Sequence, residues 1–217
     1  MNIHIITIFP ESFESYFSSS IMKNAINKEL FKIHFYKLND FSCEKTKRVD
    51  DKSYGSHGQI ISPEPLSKAI EYIFEKNSKK IPVVYLSPRW KLLKQSRIEK
   101  IFEKLEKDFI IICGHYEWID ERIIDLYVDY HISIWEYVIS SWELASMVFI
   151  DALVRNIDWV LWNSKSLEEE SFSKKLNRHK EYPQYTKPVT FKKIEVPKVL
   201  VSWNHKEIEK WKQNNLS

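Results

Sequence analysis

Glycine is the residue this chain most lacks. It has 3 glycines in 217 residues, where average usage of about 7% would supply roughly 15. Glycine furnishes left-handed backbone and lets backbone approach a ligand. Its scarcity removes the glycine-rich loops that cradle phosphates. No Gly-x-Gly-x-x-Gly and no Gly-x-x-x-x-Gly-Lys-Ser/Thr occurs, which argues against an ordinary dinucleotide or phosphate loop. Gly-x-Ser-x-Gly and His-Glu-x-x-His are also missing, and with them the commonest hydrolase readings. There are 2 cysteines, Cys43 and Cys113, too few for a zinc site. Their apolar surroundings predict two reduced core thiols in a cytoplasmic protein. No apolar run approaches the roughly 20 residues of a membrane span. Met1-Asn2-Ile3-His4-Ile5 reads as a first strand and not as a leader.

What is present suits a packed globular protein. The chain is 43% apolar and 29% charged, with length enough for one sizeable domain plus a small second one. The net charge of +3 is small but uneven, because residues 174–212 hold 11 Lys and Arg against 4 Asp and Glu. A basic C-terminal piece on a mildly acidic body suits a polyanion partner, and it equally suits a solvated lysine-rich surface.

The apolar pattern orders the elements. Strands are predicted at 2–9, 31–38, 81–86, 109–113 and 131–134, and helices at 12–30, 66–77, 120–127 and 143–157. A further helix after 95 is expected to start on a Ser96/Glu99 capping box, and one over 206–213 on Asn204 and Glu207. Residues 39–65 form a long irregular segment, and 163–180 read as a linker running into a short helix. Strands alternating with helices, with near-continuous apolar strands, predict a parallel α/β sheet covered on both faces. Such sheets bind ligands at the carboxyl ends of their strands. Three loops leave those ends: Ser87-Pro88-Arg89-Trp90, Gly114-His115-Tyr116-Glu117, and Trp135-Glu136-Tyr137 running to Ser141.

At these loops the sequence resembles the bacterial tRNA (guanine-N1)-methyltransferases, the TrmD family of the SPOUT class. The likeness runs end to end through IITIFPESF (5–13), VDDKSYG (49–55), YLSP (85–88), ICGHYEWIDER (112–122), SIWEYVISSWELASM (133–147), DALVR (151–155), EESF (169–172), YPQYTKP (182–188) and SWNHKEIEKW (202–211). The resemblance implies a SPOUT-type parallel sheet with a trefoil knot, over residues 1–160. It implies a linker over 161–176 and a small, mainly helical, basic tRNA-binding domain over 177–217. It implies methyl transfer from S-adenosylmethionine to N1 of the guanine just 3′ of the anticodon, when a guanine precedes it. A cytoplasmic homodimer with active sites shared between subunits, assisted by magnesium, follows from the same likeness, with no membrane partner. A non-catalytic RNA-binding relative is the alternative, and another SPOUT methyltransferase a third.

Residue roles carry over by position. Leu86, Ser87 and Pro88 match the first cofactor loop, and Gly114, Tyr116 and Glu117 the second. Ile134, Trp135, Glu136, Tyr137, Val138 and Ile139 match the third, whose backbone holds the adenine. Glu170 stands where the family has a catalytic aspartate that takes the proton from guanine N1, and Arg155 matches the arginine that polarises O6. Read without the family, Glu170 is one of three solvated glutamates (168–170) and Arg155 is a helix-end arginine. Asp50 and Asp51 read as a magnesium pair or as a loop-capping pair, with the loop role preferred. His115 stands where the family often has arginine.

Seven of the 8 tryptophans, at 90, 118, 135, 142, 159, 162 and 203, stand where the family pattern has glycine. Only Trp211 matches a family tryptophan. One replacement chosen seven times points to a glycine codon decoded as tryptophan; a real, adapted tryptophan-rich protein is the alternative. Taken literally, the seven indoles predict poor cofactor binding and low stability.

Overall fold

The structure, a computed structural model, describes residues 1–55, 57–105, 107–161 and 168–217. The chain divides into two compact units, Met1–Leu161 and Trp162–Ser217.

Among its described residues the first unit carries eight strands: β1 (Asn2–Thr7), β2 (Lys32–Lys37), β3 (Asp50–Lys52), β4 (Gln59–Ile61), β5 (Val83–Leu86), β6 (Asp108–Ile112), β7 (Trp118–Ile119) and β8 (Tyr130–Ile132). Its helices are α1 (Glu14–Phe17), α2 (Ser20–Asn27), α3 (Pro63–Lys76), α4 (Gln95–Lys104), α5 (Glu121–Tyr127) and α6 (Trp142–Val154). Five strands form one sheet in the order β2-β1-β6-β5-β8, every pair parallel. The apolar runs VVYL and FIII place β5 and β6 inside the sheet, where both faces are covered. Side chains alternate between the faces. Val84, Leu86 and Ile111 pack with Met22, Ile98, Phe149 and Leu153 from α2, α4 and α6. Val83, Tyr85, Ile110 and Ile112 pack with Leu66, Ile70, Ile73 and Ile123 from α3 and α5.

Several local expectations are corrected. The helix expected over 12–30 is a short 3-10 turn, α1 and α2. The chain breaks between the last two, where Ser20 takes φ 49°. The Ser96/Glu99 capping box does not form, because α4 begins at Gln95 with Lys94 as its cap and Ser96 lies inside the helix. Cys113 is buried as expected, but Cys43 is exposed and meets Glu64 and Lys68 from α3. The segment 39–65 is not wholly irregular: β3 and β4 form an antiparallel hairpin, extended by β7 into a second sheet.

The second unit holds a two-stranded hairpin, β9 (Thr190–Phe191) with β10 (Ile194–Glu195), a 3-10 turn over Lys198–Val201 and α7 (His205–Asn214). Asn204 caps α7 by accepting from the Glu207 amide at 3.4 Å, as the sequence pattern predicts. Among its described residues, α-helix occupies only the end of this unit, so that part is not mainly helical. Pro183, Pro188 and Pro197 restrict what precedes α7. Of the segment 163–180, expected to run into a short helix, the described part, 168–180, is turns with no helix, and residues 163–167 lie outside the described residues.

Candidate active site

The carboxyl ends of β5 and β8 lie side by side. The Ser87 amide donates to the Ile132 carbonyl at 2.8 Å. The chain leaving β5 then runs along the chain leaving β8. Leu93 donates to the Ser133 carbonyl at 2.7 Å, and Ser133 donates to that of Lys91 at 3.2 Å. The Ser133 hydroxyl donates to the Trp135 carbonyl at 2.8 Å, which turns the third loop back over the sheet. At the loop's far end Ser141 caps α6, accepting from the Leu144 amide at 3.3 Å. Its hydroxyl donates to Glu143 at 2.9 Å, and the other carboxylate oxygen of Glu143 accepts from Thr7 at 2.7 Å. Glu143 is buried, so this pair of hydroxyl donors satisfies a carboxylate that would otherwise be costly there. It ties the end of β1 to the start of α6.

These loops enclose a mostly apolar cavity of about 120 Å³. Leu86, Ser87 and Pro88 line it, as do Glu117, Ile134, Trp135, Tyr137, Val138 and Ile139. Of the remaining residues expected there, Gly114, Tyr116 and Glu136 do not line it. Gly114 lies beneath Trp142, whose ring would stand 3.2 Å from any Cβ added to it. Tyr116 takes φ 61° and turns its hydroxyl to Asp50. Burial chiefly, with the Asp50 carboxylate adding, raises that phenol above its ordinary range. Sequence reasoning missed Ser133, Ser141 and Ala145 as lining residues. All three are small and lie within the 133–147 match, where only residues 134–139 were assigned to the cofactor loop, and the closeness of the two loops is what selects them.

Asp50 does not behave as half of a metal pair. Its carboxylate meets Arg48 at 3.3 Å as well as Tyr116, while Asp51 accepts from the Lys52 amide at 2.7 Å. Among the described residues no cluster of three or more His, Cys, Asp or Glu side chains is placed to hold a metal.

Arg155 caps the end of α6 and lines a different cavity, of about 390 Å³, with Tyr16, Ser20, Met22 and Asp151. Burial and a hydrogen bond to Asp151 push the Tyr16 phenol up to about 12. Glu170 belongs to the second unit, where it is half-buried and its carbonyl accepts from the Ser173 amide at 3.1 Å. Its neighbour Glu169 is an ion-pair centre, bound by Lys175 at 2.8 Å, Lys212 at 3.3 Å and the Tyr182 hydroxyl at 3.1 Å. Those bonds, Lys175 first, hold the Glu169 carboxyl down at about 2. The three adjacent glutamates are therefore not equivalent.

The tryptophans fall into distinct environments. Trp118, Trp135 and Trp142 line the cavity. The indole N–H groups of Trp90 and Trp118 are buried without a hydrogen-bond partner, an arrangement native interiors avoid. Trp159 and Trp203 take φ 72° and 60°, left-handed values natural to glycine and costly for a bulky side chain. Trp162 lies outside the described residues. Trp159 is 78% exposed, so its indole gains little contact to offset the backbone. Trp159→Gly is expected to raise unfolding stability by about 1 kcal/mol, measured by urea denaturation. A loss of stability would show that the indole's packing outweighs the backbone.

A parallel sheet clothed by helices, with an apolar cavity ringed by loops at its strands' carboxyl ends, defines an α/β protein built to hold a small organic ligand. All of residues 1–217 match the family model described as tRNA (guanine-1)-methyltransferase TrmD; the chain belongs to this family. It is 43% identical over 215 residues to the tRNA (guanine-N(1)-)-methyltransferase of Clostridioides difficile, covering 98% of this chain and 91% of that protein. It is 45% identical over 210 residues to the enzyme of the same name from Buchnera aphidicola, covering 96% and 86%. The crystal structure of the tRNA (m1G37) methyltransferase from Aquifex aeolicus superposes with a TM-score of 0.78 at 31% identity, covering 98% of this chain and 88% of that one.

Proposed function

We propose that this protein transfers a methyl group from S-adenosylmethionine to N1 of the guanine immediately 3′ of the anticodon, in tRNAs where a guanine precedes it. The observation that carries the reading is the convergence of the 86–88, 117–118 and 133–142 segments on one apolar cavity, in a chain that belongs to the family along its whole length. The cavity's chemistry suits an adenosyl group: apolar walls for the ring, and loop backbone for its polar edge. Its volume does not, since ligand sites usually span about 300–1,000 Å³ and three indoles occupy the room here. S-adenosylmethionine supplies the methyl group when bound.

The chain's own residues handle the charge. Guanine N1 carries a proton at neutral pH and must lose it before it attacks. Glu170 is the carboxylate proposed to accept that proton. Arg155 is the cation proposed to stabilise the negative charge that develops on O6. Glu170 is one methylene longer than the family's aspartate, so its reach differs by about a bond length. Magnesium, which the family likeness implies, is assigned to no residue of this chain here.

The wider assembly follows the same reading. The chain segments after β5 and β8, bonded side by side through Ser133, support a trefoil knot around the cavity. The apolar side chains of Leu144 and Val148 are exposed on α6, which supports a homodimer through that helix with active sites drawn from both subunits. The lysine-rich second unit supports contact with the tRNA backbone, where each neutralised phosphate releases counterions. We place the protein in the cytoplasm. The indole-filled cavity favours a second reading, an RNA-binding relative with impaired catalysis.

Transfer of labelled methyl from S-adenosylmethionine to a tRNA transcript with two guanines at that place separates the readings. Transfer is expected there and not to a transcript whose preceding guanine is replaced by adenine. Binding of the tRNA with no transfer, by this chain and by its form with glycine at the seven positions, would leave the second reading.

A further inference from the structure

Two of the three glycines lie in and beside the β3–β4 hairpin, and they answer different needs. Gly55 takes φ 79° in open space, so its backbone demands glycine. Gly58 lies outside the left-handed region and meets a different constraint. A Cβ built on it would stand 1.9 Å from both Cδ and Oε2 of Glu117, and 2.2 Å from Oε1. The carboxylate of Glu117 thus occupies the place a side chain would take at position 58.

The surrounding backbone holds the two residues side by side. Gly58 closes the hairpin by accepting from the Ser53 amide at 3.1 Å, and the Glu117 amide donates to the next carbonyl, Gln59, at 3.1 Å. Ile60 and Ile61 then pair in register with Trp118 and Ile119. The hairpin is therefore laced to the loop that brings Glu117 to the cavity wall.

We propose that Gly58 is a positioning residue for the ligand cavity, its missing side chain setting where the Glu117 carboxylate stands. A carboxylate at the edge of a mostly apolar cavity suits a ligand with O–H or N–H donors or a positive charge on that side. The proposal rests on the cofactor reading of the cavity. Substituting alanine at 58 displaces the far end of a flexible side chain, not backbone. Its cost therefore falls on the carboxylate's position more than on the fold.

The test is a double-mutant cycle on the full chain, read by calorimetric titration with S-adenosylhomocysteine and by melting temperature. Gly58→Ala is expected to weaken binding about tenfold, and Glu117→Ala by a similar factor. Gly58→Ala/Glu117→Ala is expected to bind no worse than Glu117→Ala alone, because the displaced group is gone. Additive losses, or unchanged binding in Gly58→Ala, would overturn the proposal. Absence of binding by the unsubstituted chain would count against the cofactor reading instead. The crystal structure of Gly58→Ala then decides: a displaced Glu117 carboxylate at unchanged melting temperature upholds the positioning role, and an unmoved one refutes it.

Discussion

Changing Trp118, Trp135 and Trp142 to glycine together is expected to tighten S-adenosylmethionine binding about 100-fold, on the order of 2.7 kcal/mol. The cause is volume. All three indoles line a cavity of about 120 Å³, well below the roughly 300 Å³ at which ligand sites begin. The buried, unpartnered N–H of Trp118 shows that at least one of them is poorly accommodated even without a ligand. Two further positions of the same series, Trp159 and Trp203, hold glycine-like backbone. Both observations are what a glycine codon decoded as tryptophan would leave behind. Isothermal titration of the chain as written beside the triple variant measures the effect. Equal affinity would mean that the rings swing aside at little cost, and that the steric account is wrong.

Glu170→Gln is expected to lower kcat for methyl transfer by about 10²- to 10⁴-fold, the usual range for loss of a general base. Affinity for S-adenosylmethionine should stay within about twofold, since the cavity is built wholly from the first unit. The isosteric amide keeps size and removes the proton acceptor. Glu169→Gln is the control: that carboxylate is committed to Lys175 and Lys212, so its loss should act through stability of the second unit. Single-turnover transfer to tRNA reads both. If Glu169→Gln lost kcat at full stability and Glu170→Gln did not, the base would be the wrong glutamate of the three.

The sheet was legible because its strands are apolar on both faces and bounded by turns, as in Val83–Leu86 and Phe109–Ile112. The loops were legible because a parallel sheet places ligands at one end of its strands. Helix starts were less so. Ser96 and Glu99 have the capping spacing, but Lys94 takes the extended cap conformation and the helix begins one residue before Ser96. The break within 12–30 depends on left-handed backbone at Ser20, which no periodicity encodes. Cys43 was read as a core thiol from its surroundings in sequence, yet its thiol is exposed and meets Glu64 and Lys68. Gly58 was invisible for a different reason: its neighbour Glu117 is 59 positions away in sequence, so the close approach exists only in three dimensions.

The three indoles at the cavity also make the site optically self-reporting. Trp118 lies edge-on to Tyr85 with ring centroids 5.9 Å apart, and Trp135 lies 6.5 Å from Tyr137. Anything that enters must move or screen these fluorophores. Ligand arrival is thus written into the protein's intrinsic emission with no added dye. Glycine at the three positions would remove the obstruction and these three reporters together, leaving the emission of the other five tryptophans as background.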